Sequence, residues 1–367
     1  MTMRLNELEA DLRRSMFTEA DIALFRAFAG EPSEDDLKIL TKDLDIDSAS
    51  YLYLLMLGIL GFQKGWEHFP DSMTARISGI HRYEQVKNSS VTPWLSKRIG
   101  VLENAGIPVM FTGNSAIRLA FVPDVPRLMT GYDLTVRSGD YDRAAELLRA
   151  EIKGSDKNDF HDRTIKDLTV INLHKGVHDK RLFDEEDYWN SSSVMDYQAH
   201  KVNVPSFEDH LLQCLCMPYG QWMLSEKAVD RTYRLAGAVI MLKDKKVDVD
   251  RLSAIAKRAC VSCHLRFELA LILPFTDAVQ DSDPERIAGD QEYCNYLNKL
   301  IGYRDHPSVL NEYKLINSFY RPEDKKSSFR EYIIRTRDIH SPADLARHLK
   351  RRGQKRKDSG SSGNEAN

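Results

Sequence analysis

Residues 107–136 read IPVMFTGNSAIRLAFVPDVPRLMTGYDLTV, and this stretch decides the fold. An apolar run, Ile107 to Phe111, meets Thr112-Gly113-Asn114-Ser115, and a short helical patch follows over Ala116 to Phe121. A Pro-bounded loop then ends in Arg127 before a second apolar run that carries Asp133. A Gly/Ser turn after a buried strand can turn backbone N–H groups toward a phosphate, aided by the positive end of the helix behind it. A carboxylate on the neighbouring strand, facing that turn, lies where a divalent cation would sit.

Face by face, the second run is more specific. Residues two apart in a strand share a face. Gly131, Asp133, Thr135 and Arg137 therefore point one way, and Tyr132, Leu134 and Val136 point into a core. Nucleotidyl transfer calls for two carboxylates in an Asp-x-Asp pair on such a face, holding metal ions between a triphosphate and an attacking hydroxyl. Gly131 stands at the first place of that pair. The third acidic place falls on the run Leu168 to His174, where Val170, Asn172 and His174 share a face, and it is occupied by Asn172.

Four segments, in this order, resemble the uncharacterised nucleotidyltransferase family of bacteria, relatives of the minimal nucleotidyltransferases. They are Thr112-Gly113-Asn114-Ser115-Ala116, Arg127-Leu128-Met129-Thr130-Gly131-Tyr132-Asp133-Leu134, Tyr141 to Leu148, and Val170-Ile171-Asn172-Leu173-His174. The resemblance spans roughly residues 95–245. It departs from the family pattern at Thr112 (usually Lys), at Gly131 (the first Asp) and at Asn172 (the third). The resemblance implies an α+β fold: a small nucleotidyltransferase-like mixed sheet flanked by N-terminal and C-terminal helical regions. It implies an NTP as substrate and Mg²⁺ (or Mn²⁺) as cofactor, with Asp133 as catalytic metal ligand and Asn172 beside it. Gly113, Asn114, Ser115 and Arg127 would meet the phosphates, and His174 would be a further substrate contact.

Losing two carboxylates of three leaves one formal negative charge to offset two divalent ions. Removing one charge-stabilising group commonly costs on the order of 10² to 10³ in rate. Asp124, in the loop before Arg127, could compensate, while Asp140 and Asp142 read better as the acidic start of a helix. Two functions are therefore expected to compete. One is transfer of a nucleotidyl group to a hydroxyl-bearing acceptor. The other is a catalytically inactive nucleotide- or partner-binding module on the same fold. Several of these positions also have plain structural readings: a surface ion pair for Arg127, a helix cap for Ser115, a hydrogen-bonded strand residue for His174.

Around this core the chain reads as helical. Residues 1–104 form a helical region, 105–205 the α/β core, and 206–349 a second helical region. Residues 350–367, basic and then Gly/Ser-rich, are expected to be disordered. Thr18 and Ser33 are placed to cap helices, the latter with Asp36 in a capping box. Thr92-Pro93 sets a cap residue before a helix-opening proline, and Ser206 with Asp209 starts another helix. Strands are expected at Val109–Phe111, Tyr132–Val136, Leu168–His174 and Lys201–Val204.

Composition narrows the class further. With 29% charged and 42% hydrophobic residues and a net charge of −3, the chain has no global attraction for nucleic acid. Only the basic stretch Lys350 to Lys357 could bind RNA or an acidic surface. Glu7 to Arg14 is charged where a secretory signal would be apolar, and Tyr51 to Phe62 is too short to cross a bilayer. A cytoplasmic protein with reduced thiols is expected, with no membrane partner. Cys260-x-x-Cys263-His264 has haem-attachment spacing, and Cys214-x-Cys216 could join it around zinc. Both pairs lie in apolar helical surroundings, where core packing is the expected role.

Overall fold

The computed structural model describes residues 2–306 except 31, 42–43, 45, 48, 124, 130, 151–160, 165–168, 178–181, 217–227, 244 and 279–282. Asp124 and the basic stretch Lys350 to Lys357 lie outside the described residues. The fold is mixed α+β, with helices around a mixed sheet. Among the described residues six strands run β1 (Met110–Phe111), β2 (Gly131–Val136), β3 (His161–Thr164), β4 (Thr169–Lys175), β5 (Ser193–Tyr197) and β6 (His200–Val204). Their order across the sheet is β3-β4-β2-β1-β6-β5. β2 pairs parallel with β4 and antiparallel with β1, and β1 pairs parallel with β6. The two edge strands, β3 and β5, are antiparallel to their neighbours.

The four expected strands form, each within a residue or so of its expected bounds. The two edge strands were not expected, and both lack the local signal. β5 is mostly exposed and does not alternate cleanly, so no apolar period marks it. Its turn to β6 places Gln198 at φ +55°, a left-handed position that Asn or Gly normally advertises.

One face of the sheet carries the core. Tyr132, Leu134 and Val136 of β2 are buried there with Phe111, Ile171 and Val202. Helices Thr92–Asn104 and Tyr141–Ala150 cover them through Leu95, Ile99, Leu102, Ala144 and Leu148. The alternation read in the second apolar run thus has its cause: odd residues meet solvent or polar neighbours, even ones meet helices.

The helices start where the sequence places stops and caps. Thr18 and Asp21 form a reciprocal capping box on Glu19–Ala29, and Ser33 and Asp36 do the same for Glu34–Thr41. The Ser206 hydroxyl accepts from the Asp209 N–H at 3.1 Å and opens Phe207–Cys216. One cap differs from expectation: Thr92 is already helical, and Val91 holds the cap position, its carbonyl accepting from the Leu95 N–H at 2.9 Å. The proline at position 93 fixes the helical φ without help from a capping hydroxyl. The apolar segment near residue 55 forms helix Tyr51–Lys64, with Leu54 through Gly61 buried against helices Asp71–Ser90 and Ala228–Leu242. Among the described residues, no helix is long and apolar enough to cross a membrane.

By their contacts, residues 1–217 with 226–295 form one unit, so the helices before and after the sheet belong to the same unit as the sheet. The other unit comprises 218–225 and 296–367; its described part is the end of helix Asp290–Asp305. Of the cysteines, Cys216 is buried, and Cys214, Cys260, Cys263 and Cys294 are partly exposed. Cys216 is fully buried, and burial pushes its thiol well up. Cys214 Sγ donates to the Arg234 carbonyl at 4.0 Å.

Leu134 is fully buried mid-strand, whereas Val194 on β5 is 62% exposed. Leu134→Ala should lower unfolding free energy by about 3 kcal/mol and Val194→Ala by about 0.5 kcal/mol or less. Equal shifts of the two urea midpoints would contradict the assignment of faces.

Candidate functional site

The site is built where β1 ends. Thr112 leaves the strand with its N–H donating to the Asp133 carbonyl at 3.1 Å, and the chain turns at Gly113, φ +53°. The Ser115 hydroxyl then accepts from the Asp133 N–H at 2.7 Å. Both backbone groups of Asp133 are thus tied to the turn, and the carboxylate is drawn up against it. A Cβ added at Gly113 would lie 2.9 Å from Asp133 Oδ2. Glycine is required here twice over, for the left-handed φ and for the close approach. Behind the turn, Gly113–Ala116 is helical and continues as a wider π-helical turn over Ile117–Phe121.

Parallel pairing of β2 with β4 sets Asp133 opposite Asn172 and Thr135 opposite His174. Asp133, Asn172 and His174 consequently share a face. Asn172 Nδ2 donates to Asp133 Oδ1 at 3.0 Å, and His174 Nε2 lies 3.1 Å from the same oxygen. Toward an ionised carboxylate, whose oxygens only accept, the imidazole can take part in this contact as the donor through Nε2–H. The carboxylate and the imidazole are both partly exposed, at 15% and 26% of their side-chain surface. The residues named from sequence that gather here are Gly113, Asn114, Ser115, Asp133, Asn172 and His174. Asn114 is exposed at the turn, while Ser115 is fully buried and its oxygen serves the β2 backbone. Thr112, where the family pattern has Lys, is also buried, with its hydroxyl 3.1 Å from that of Thr135.

Arg127 is placed elsewhere. Its guanidinium is 5% exposed and stacks on Tyr233 at 4.8 Å, within helix Ala228–Leu242. It fits a notch at Gly237, where a Cβ would come within 2.7 Å of Nη1. The same loop is held by the Tyr233 hydroxyl, which accepts from the Leu128 N–H at 3.0 Å, and by Asn88, which donates to the Arg127 carbonyl at 3.1 Å. Its recorded contacts are with helices rather than with the Gly113 turn. Sequence reasoning missed Tyr233 and Gly237, and no local signal marks a partner more than a hundred residues away.

The donor set does not suit Mg²⁺. That ion takes hard oxygen ligands and several charges. Here one carboxylate is present, and two N–H groups approach it from the side of the next strand. Among the described residues, no group of three or more His, Cys, Asp or Glu side chains is placed to hold a metal ion. Comparison with protein families, curated proteins and solved structures found no match to this chain.

A second acid restored at the third position tests this directly. Asn172→Asp would set two carboxylates about 3 Å apart, where like charges disfavour each other. We expect a loss on the order of 1 kcal/mol in EDTA, recovered in millimolar Mg²⁺, with the parent melting temperature unmoved by Mg²⁺. A parent melting temperature that rises as much with Mg²⁺ would show that the present side chains already hold the ion.

Proposed function

We propose that this chain is a nucleotidyltransferase-like protein that binds a nucleotide at the mouth of its sheet without transferring the nucleotidyl group. The observation that carries this reading is the double hydrogen bond on Asp133 Oδ1, from Asn172 and His174. In a transferase, cations satisfy the clustered carboxylates and carry the triphosphate. Here neutral or singly protonated side-chain N–H groups do the first task, and nothing replaces the second. The phosphate end of the ligand would instead meet backbone N–H groups of the turn at Gly113 and Asn114, where Gly113 takes a left-handed φ. Ser115 and Asp133 act as positioning residues, because their mutual hydrogen bond fixes the turn on the strand.

Metal-dependent transfer to a hydroxyl-bearing acceptor is the second reading. It is favoured by the grouping of Asp133, Asn172 and His174 on one partly exposed face. An amide turned end over end would offer a carbonyl oxygen to a cation, though an uncharged one. On this reading Asp133 is the catalytic residue and Mg²⁺ or Mn²⁺ the cofactor.

Calorimetric titration with each NTP separates the readings. We expect binding by at least one NTP that persists in EDTA and weakens about tenfold or more in Gly113→Ala. Labelled NTP incubated with the protein, Mn²⁺ or Mg²⁺ and cell extract should yield no product. Labelled product that vanishes in Asp133→Ala would establish transfer, and absence of any NTP binding would remove both readings.

A further inference from the structure

A cavity lies well away in sequence from the sheet strands, within the same contact unit. Its volume is about 670 Å³, within the range of small-molecule sites. It opens between the ends of helices Glu19–Ala29 and Ala228–Leu242 and the segment Pro274–Ala278. The lining residues are of two chemistries. One is apolar: Val239, Leu242 and Phe275, the last leaning on buried Phe25 with ring centroids 5.5 Å apart. The other is cationic: Lys243, Lys245, Lys246 and Arg26.

The charges do not cancel inside the cavity. Arg26 donates from both Nε and Nη2 to Asp36 Oδ1, so that pair is neutral. The three lysines make no ion pair with any described residue, and the one acid lining the cavity is Asp277, which is exposed. Asp244, between the lysines in sequence, lies outside the described residues. Three cationic residues lining one concavity raise its positive potential. An anion of two or more charges lowers that potential. Thr276 adds a neutral donor: its oxygen accepts from the Ala278 N–H at 3.1 Å, leaving the hydroxyl proton to give.

We propose that this cavity is a binding site for a small organic phosphate with an apolar or aromatic body. The phosphate would lie among Lys243, Lys245 and Lys246, and the body would lie against Phe275 and Leu242. Lysine suits this role as a flexible point charge that needs no fixed fork geometry. Nothing in the proposal depends on the nucleotide reading of the sheet end, since the two sites share no residue.

The probe is 1-naphthyl phosphate, titrated calorimetrically into the full chain at low salt. We expect one binding event that weakens as salt rises. It should be weakened at least tenfold by the combined substitutions Lys243→Gln, Lys245→Gln and Lys246→Gln, and unchanged by Gly113→Ala. All three lysines are exposed, so the combined variant should melt with the parent. Three results would each overturn the site: no binding at millimolar probe, equal affinity in the lysine variant, or loss of binding in Gly113→Ala. The last would assign the heat to the sheet end.

Discussion

Asp133 is held by its backbone before its side chain does anything. Its carbonyl accepts from Thr112 and its N–H donates to Ser115, so the turn between β1 and the following helix is fastened to the central strand at two points. Each such bond contributes about 1 kcal/mol net, but leaving either buried group unpaired would cost more. That fastening forces the left-handed Gly113 against the carboxylate and fixes which face of β2 the site occupies. Pairing with β4 then determines the rest: once Asp133 stands opposite Asn172, His174 must come up on the same side.

The charge balance of the site follows from that register. A cluster of carboxylates is stable only with a cation or protons among them. With glycine at 131 and asparagine at 172, the cluster is reduced to one acid, and two neighbouring N–H groups satisfy one of its oxygens. Asn172 brings no charge to the face it shares with Asp133 and donates one hydrogen bond to it.

Arg127 illustrates a different constraint. A guanidinium taken from water needs compensation, and here it comes from the face of Tyr233 and the space left by Gly237. The loop before β2 is thereby attached to the helical part that follows the sheet, and Asn88 attaches it to the part that precedes it. Helices distant in sequence share one unit with the sheet partly through this loop.

The sequence by itself determined the central strands, their inward faces and most helix starts, because these obey local rules. An apolar run marked β1, shared faces two residues apart marked β2 and β4, and hydroxyl–acid pairs at Thr18, Ser33 and Ser206 marked helix entries. It also marked the positions that meet around Asp133, because the spacing of turn and strands constrains them. Edge strands β3 and β5 escaped, since strands at a sheet's rim need no apolar period and take their shape from the neighbour they pair with. Only the tertiary structure decided where Arg127 points, which groups satisfy Asp133, and that three lysines after one helix share a cavity with Phe275. Those are matters of long-range register and charge proximity, and no local pattern in a chain records how far apart two charges will lie after it folds.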